Sequence, residues 1–253
     1  MGDTDHSSSF LIFGASGGIG SALARRLHKD GHRLVLTARN PPSLKALAAE
    51  LDASAITADA RDSAQVAKVF AKAEEILGRV DGVAHCVGSL LLKPAHAITD
   101  EDWLDTLHTN LTSSFFVLRE AARRMRNSGG SLVFLSSAAA RRGMINHEAI
   151  AAAKAGIIGL AQAAAASYAR YGIRVNCVAP GLTDTPLTKS ITESDVALKV
   201  STALHPLGRI GTSSDVASAV AWLLNPEQSW VTGQVIGVDG GLADIQPRLN
   251  INY

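Results

Sequence analysis

The sequence predicts an α/β fold: a single-domain, doubly wound parallel sheet of about seven strands with helices on both faces. Three observations carry this. Short apolar or β-branched runs alternate with longer stretches of helical spacing. Alternation of that kind makes a parallel sheet, because each crossover helix must pack back onto one face or the other. No stretch rich in Pro, Ser or charge divides the 253 residues internally.

In chain order, residues 9–13 form a strand that is apolar after Ser9, and the helix at 18–30 stops at Asp30-Gly31. The strand at 33–37 follows, and Pro41-Pro42 breaks the chain before the helix at 43–51. Residues 54–58 and 82–86 read as strands around the helix at 63–77, and 102–127 as one long helix. The strand at 131–136 leads to the helix at 147–170, which Tyr171-Gly172 ends. After the strand at 173–178, the segment 182–205 has weak periodicity. It leaves the carboxyl end of a strand, where open α/β sheets keep lids and substrate sites, so it is the candidate lid. Ser213 reads as the cap of the helix at 214–224, ahead of Asp215, and 234–238 is the closing strand. Residues 1–8 form a polar tail, 9–242 one Rossmann-like domain, and 243–253 a C-terminal tail.

Composition narrows the function. Hydrophobic residues make up 47% against 19% charged, enough to bury a sizeable core. With 24 basic and 23 acidic residues the chain has no electrostatic footprint for nucleic acid or an acidic membrane, which leaves a small molecule as the expected partner. Residues 1–9 lack a basic flank and apolar run, and no later apolar stretch reads as long enough to span a membrane, so a cytoplasmic location is expected. Cys86 and Cys177, each in an apolar strand, read as buried free thiols. Eight scattered histidines show no paired zinc spacing, and no metal is expected.

Directly after the first strand stands Gly14-Ala15-Ser16-Gly17-Gly18-Ile19-Gly20, opening into a helix. Glycines permit a tight turn and let backbone N–H groups approach a pyrophosphate at a helix N-terminus, where the dipole favours an anion. At the end of the second strand, a carboxylate would hydrogen-bond the ribose 2′-OH of NAD(H), but this chain has Arg39. A guanidinium can grip a 2′-phosphate bidentately, so NADP(H) is favoured and NAD(H) remains possible; Gly17 supplies no second basic group.

The ordered motifs over residues 9–242 resemble the short-chain dehydrogenase/reductase family. Gly14, Gly18 and Gly20 match its Gly-x-x-x-Gly-x-Gly turn. Asp59, with Ala60 beside it, is similar to the family's adenine-contacting acid. Gly88 resembles the glycine of its Asn-Asn-Ala-Gly element, although this chain reads His85-Cys86-Val87-Gly88. Asn110 falls at the helix-bending asparagine, Pro180-Gly181 and Thr185 at the nicotinamide loop, and Val238-Asp239-Gly240-Gly241 at the closing strand. The resemblance implies that Gly14, Gly18, Gly20, Asp59, Ala60, Gly88, Pro180, Gly181 and Thr185 hold the dinucleotide, and that Asn110 stands among the catalytic residues. It also implies that Ser137 binds the substrate oxygen, and that Lys154 binds the nicotinamide ribose.

One element departs. The family's catalytic tyrosine stands four residues before the lysine, and here that residue is Ile150. An alkoxide formed by hydride addition demands a proton almost at once, and a hydrocarbon cannot give one. His147, Ile150 and Lys154 lie near one helical stripe, so His147 is the candidate substitute donor. A polar ring seven residues before the lysine resembles the Tyr-x6-Lys pattern of enoyl-thioester reductases in the same superfamily. Hydride added to an enoyl thioester moves charge onto the thioester oxygen, where an N–H donor from neutral His147 would suffice. The alternatives are therefore carbonyl reduction, double-bond reduction, or a catalytically silent relative that binds dinucleotide as a sensor or structural subunit. Tyr168 and Tyr171 lie too far along the helix to substitute. Arg141 and Arg142 are placed to meet a phosphate of a carrier-bound substrate. The long helices at 102–127 and 147–170, the second rich in alanine, predict a homodimer or homotetramer.

Overall fold

Phe13, the last residue of β1 (Ser9–Phe13), lies opposite Thr37 of β2 (Arg33–Ala38) on one side and His85 of β4 (Gly82–His85) on the other. This double pairing puts β1 in the middle of a seven-stranded parallel sheet, and it places the reversal of strand order between β1 and β4. The computed structural model describes residues 7–246. On one side of β1, β2 pairs with β3 (Ser54–Thr57). On the other, β4 pairs with β5 (Gly130–Leu135), β5 with β6 (Ile173–Pro180), and β6 with the last strand, β9 (Val235–Val238). All seven strands anticipated from the sequence are present, within a residue or two at their ends.

Alternation along β1 builds two cores. Leu11 and Phe13 point to a layer made by α3 (Ser63–Leu77), α5 (Ser113–Arg124) and α6 (Glu148–Tyr168). Phe10 and Ile12 point to the opposite layer, made by α1 (Gly18–Lys29), α2 (Pro41–Glu50) and α9 (Ser213–Leu224). Phe10, Leu11, Ile12 and Leu36 are fully buried, each contributing about 2 kcal/mol relative to exposure.

Several boundaries differ from the sequence reading, each for a local reason. Pro41 and Pro42 start α2 instead of preceding it, because a residue without an N–H and with fixed φ suits the first helical positions; Asn40 caps them. Thr212, not Ser213, caps α9, in a reciprocal capping box with Asp215. The expected helix at 102–127 begins earlier, as α4 (Asp100–Leu107) capped by Thr99, and passes through a π turn at His108–Thr112 before α5. Asn110 causes the widening: its Nδ2 donates to the Thr106 carbonyl at 2.9 Å, competing for the acceptor that the α ladder would use. His147 is the cap residue of α6, which starts at Glu148.

The segment 182–205, the expected lid, is structured. It holds β7 (Thr183–Asp184), α7 (Lys189–Thr192) and α8 (Asp195–Leu204), and β7 pairs with β8 (Gly211–Thr212) just before α9. The domain extends past both of its expected ends. Ser8 N donates to His32 Nδ1 and Ser7 Oγ to the Gly31 carbonyl, so both residues are tied to the domain; the rest of the predicted N-terminal tail lies outside the described residues. At the other end Ala243 N donates to Asp239 Oδ2 and Ile245 N to the Gly241 carbonyl, while 247–253 lie outside the described residues. One more expectation fails: Glu148–Tyr171 has the length and apolarity of a membrane span. Here it is a core helix, with Ile150, Ala153, Ile157 and Ala161 buried and its inner face packed on β6.

Candidate active site

The turn after β1 is fixed by its glycines. Gly14 has φ +75°, and its N–H and that of Ala15 both donate to the Thr37 carbonyl, at 2.8 and 3.0 Å. A Cβ on Gly20 would sit 2.2 Å from the Gly14 carbonyl oxygen, so α1 can close against the turn only with glycine there. Gly18, Ile19 and Gly20 form the first turn of α1, where N–H groups have no intrahelical acceptor and suit an anion. A Cβ on Gly18 would lie 2.8 Å from Thr185 Cγ2. The first glycine turn and the loop after β6 therefore close over one another, which brings the two predicted dinucleotide elements, over 160 residues apart in sequence, into contact.

The loop after β6 is pinned from both sides. Gly181 N donates to the Val238 carbonyl at 3.1 Å, and Thr185 is held in a box with Thr188. His205, at the end of α8 and buried, donates from Nδ1 to the Ser201 carbonyl (2.6 Å) and accepts at Nε2 from Leu182 N (3.2 Å). A side chain at 181 would meet that ring at 2.6 Å, so glycine is needed for the latch. Sequence reasoning passed over His205, since the partner that gives it a role, Leu182 N, comes from the far side of the segment and no spacing announces it.

At the expected adenine end, Asp59 behaves differently from expectation. Burial works to raise its pKa, but hydrogen bonds from Arg61, then the charges of Arg61 and Arg39, hold the carboxyl below its ordinary value. Arg61 N and Nε reach Oδ1 at 2.9 and 3.2 Å, and Nε and Nη2 reach Oδ2 at 3.0 and 2.8 Å. With about four acceptor sites on a carboxylate, Asp59 is saturated by Arg61, which also bridges to Asp105 on α4. Arg39 is exposed at the end of β2, and among the described residues no ion pair engages it. Ala60 is buried below the same turn.

The chemistry end forms where β4, β5 and α6 meet. Lys154 is 7% exposed, and its Nζ donates to the Leu135 carbonyl at 2.9 Å. A Cβ on Gly88 would lie 3.4 Å from Nζ and 3.1 Å from Asn110 Oδ1, so the glycine keeps the floor open between them. Asn110 is fully buried, accepts from Ser89 N at 3.2 Å and donates to Ser89 Oγ at 3.0 Å, fastening the loop after β4 to the π turn. Ser136 Oγ donates to the Lys154 carbonyl at 2.9 Å and so ties α6 to the end of β5, with Ser137 next in line. The Ser137 hydroxyl is partly exposed and accepts from Ala139 N at 3.1 Å, which leaves its own proton free to donate. Lys154, Asn110 and Gly88 are thus brought together, and Ser137 follows Ser136 at the strand end that is tied to α6.

His147 is not drawn into that group by any hydrogen bond. Its Nδ1 is 2.7 Å from the Ile145 carbonyl and must be the donor, so in the neutral ring Nε2 carries a lone pair. The expected neutral N–H donor is therefore unavailable at Nε2, which donates only as imidazolium. Ile150, one turn before Lys154, is 3% exposed. Arg141 and Arg142, expected at a substrate phosphate, hold the C-terminal segment through Asp244 and the Leu242 carbonyl.

His85 is the group the sequence left without a role. It is 2% exposed; Ser113 Oγ donates to the Thr109 carbonyl and so accepts from His85 Nε2 at 2.9 Å, which leaves Nδ1 buried without a partner. Desolvation, aided by the Lys154 charge, lowers its pKa to about 3.

The family model described as enoyl-(acyl carrier protein) reductase matches residues 14–243. The human 3-oxoacyl-[acyl-carrier-protein] reductase is 37% identical over 238 residues, covering 91% of this chain and 96% of that protein. A short-chain type dehydrogenase/reductase from Mycobacterium ulcerans superposes with a TM-score of 0.89 at 32% identity, covering 95% of this chain and 91% of the other. An actinorhodin polyketide ketoreductase variant with NADPH gives 0.89 at 33%, covering 96% and 99%. A tyrosine-to-phenylalanine variant of ElxO with NADPH bound gives 0.88 at 28%, covering 93% and 98%.

Proposed function

Because the chain belongs to the short-chain dehydrogenase/reductase family, we propose that it is an NADP(H)-dependent reductase of a carbonyl or an α,β-unsaturated carbonyl such as an enoyl thioester. The observation that carries this reading is the convergence of Lys154, Asn110 and Gly88 beside the glycine turn, with Ser137 on the adjoining strand end that Ser136 ties to α6. The residues fit the dinucleotide: the open first turn of α1 for the pyrophosphate, Thr185 closing over Gly18, and Lys154 at the floor by Gly88. When bound, the reduced nicotinamide supplies hydride to the acceptor carbon. Ser137 donates its hydroxyl proton as a hydrogen bond to the oxygen on which charge develops.

Arg39 supports the phosphorylated cofactor, as do the NADPH-bound relatives. Arg39→Asp is expected to weaken NADPH binding by about 10- to 100-fold, the worth of a charge-assisted pair, and to improve NADH. Titrating both nucleotides by fluorescence checks this; an unchanged preference would assign the 2′-phosphate to other residues.

A second reading is favoured by Ile150, a buried hydrocarbon where the family holds a phenol: a silent relative that binds NADPH and turns nothing over. That ElxO variant shows that a member of this fold binds NADPH with one tyrosine removed. Following NADPH oxidation with ketones, 3-oxoacyl thioesters and enoyl thioesters separates the two. Turnover supports the reductase, and binding without turnover on every acceptor supports the silent relative.

The assembly belongs to the same proposal. Trp103, Leu104 and Phe115 lie exposed along α4 and α5, and this face is read as the surface that pairs copies into a dimer or tetramer. Leu104→Arg is expected to lower the mass measured by light scattering to that of a smaller assembly.

A further inference from the structure

We propose that His205 is a positioning residue that couples the expected lid to the cofactor loop, so that filling the dinucleotide site steadies α7 and α8. The assignment rests on the dinucleotide reading above and on how the lid is attached. Among the described residues, no side chain of α7 or α8 is buried, and within 182–205 the buried residues are Thr183 and His205. α8 packs chiefly on α7, so the pair has no core of its own, the condition under which a segment opens locally at little cost. The position of the lid is therefore set at its base.

That base is Leu182, held from two sides. Its carbonyl accepts from Gly211 N of β8 at 2.8 Å, and its N–H donates to His205 Nε2 at 3.2 Å. The ring cannot turn away: Nδ1 donates to the Ser201 carbonyl at the end of α8, Leu207 N donates to the Gly240 carbonyl just beyond it, and the residue is wedged between Gly181 and Gly240. Downstream of Leu182, Thr185 closes over Gly18 in the turn that suits the pyrophosphate. A dinucleotide that engages Gly18 and Thr185 orders Leu182 as well, and Leu182 N passes that order to α8 through the imidazole. Among the described residues this is the one hydrogen bond that joins the cofactor loop to α8. Linkage makes the effect reciprocal, so the steadied lid tightens the cofactor by the factor by which the cofactor steadies the lid. One buried hydrogen bond sets that factor at about 5- to 10-fold.

Two amides separate this role from simple support of the helix. His205→Gln carries a carboxamide oxygen to the reach of Nε2 and keeps an acceptor for Leu182 N, whereas His205→Asn reaches only as far as Nδ1 and keeps the donor to Ser201. Leu182 stays bonded to Gly211 in both, so the loop stays formed. Hydrogen exchange of the peptides covering α7 and α8 is read by mass spectrometry with and without saturating NADPH, beside the NADPH Kd of each protein. NADPH is expected to slow exchange there by about 5- to 10-fold in wild type and in His205→Gln, and to leave it unchanged in His205→Asn, whose Kd rises by the same factor. Loss of the slowing in His205→Gln, or its persistence in His205→Asn, overturns the coupling and leaves His205 a cap of α8. NADPH that binds wild type without slowing α8 overturns it as well. No turnover is needed, so a silent relative is held to the same test. Wild type that binds neither NADPH nor NADH overturns the dinucleotide reading itself, a result distinct from binding without slowing.

Discussion

Ile150→Tyr is expected to raise turnover of a ketone acceptor by about 100-fold at neutral pH, the lower range of what a positioned general acid supplies. The substitution puts a phenol one helical turn before Lys154 and on the same stripe, with Ser137 already presented from the end of β5. A nearby ammonium favours the phenolate, so the new acid titrates below its usual range and delivers its proton readily. The gain has a structural cost. Ile150 is 3% exposed, so a larger ring must displace neighbours, at about 1 to 3 kcal/mol. Ile150→Phe matches the bulk without the hydroxyl and is expected to show the same lowered melting temperature with no gain in kcat. Equal kcat for the two variants on ketones, with NADPH still bound, would mean that no carbonyl oxygen reaches this part of the cleft. An increase confined to ketones and absent on enoyl thioesters would place the reaction at C=O, since protonation of carbon in the second case can fall to water.

The sheet was legible in the sequence because its inner strands β1, β4 and β5 are buried on both faces and read as apolar runs, while the partly exposed edge strands β3 and β9 were marked by their place in the strand-helix alternation. The dinucleotide elements were legible for a related reason: Gly14 and Gly20 are imposed by a positive φ and by a backbone approach that no side chain permits. What escaped was tertiary. Periodicity through residues 102–127 is continuous, yet Asn110 competes for the Thr106 carbonyl and opens a π turn there. The lid segment hid its helix because the apolar stripe of α8, Val196, Val200 and Leu204, is exposed and packs on no core that would enforce a pattern. Asp59 carried the family's adenine contact by position, while Arg61, two residues on, folds back to occupy it. His147 shared a stripe with Lys154, but stripe position does not reveal that a carbonyl two residues earlier holds its ring proton. His85 and His205 are each fixed in the core by a partner from another element, Ser113 and Leu182, which spacing along the chain does not encode.

Stability is expected to respond to pH at two places, both set by cations that burial suppresses. For His85, the unfolded chain binds a proton below about pH 6.5 while the folded chain resists until about 3. The unfolded state then holds more protons through that window, so stability is fully present above 6.5 and is lost as pH falls toward 3. Lys154 has the same sign at higher pH: its folded value of about 8 lies below the ordinary 10.5, so the folded state is penalised at neutral pH and recovers as pH rises from 8. At about 1.4 kcal/mol per pH unit the ceilings are about 5 kcal/mol for His85 and about 3 kcal/mol for Lys154, and relaxation of the site brings both down. Cys86 and Cys177, pushed up from 9 to about 12, oppose the alkaline rise from pH 9 upward, so the lysine effect is best read as a difference between chains. In urea unfolding, Lys154→Met is expected to exceed wild type by about 1 to 3 kcal/mol at pH 7, with the gap closing between about pH 8 and 10. His85→Asn is expected to flatten the acid limb by a similar amount while leaving neutral stability within about 1 kcal/mol. A gap between Lys154→Met and wild type that stays constant from pH 7 to about 10 would mean that water solvates Nζ in the folded protein. Lys154 would then be an ordinary cation.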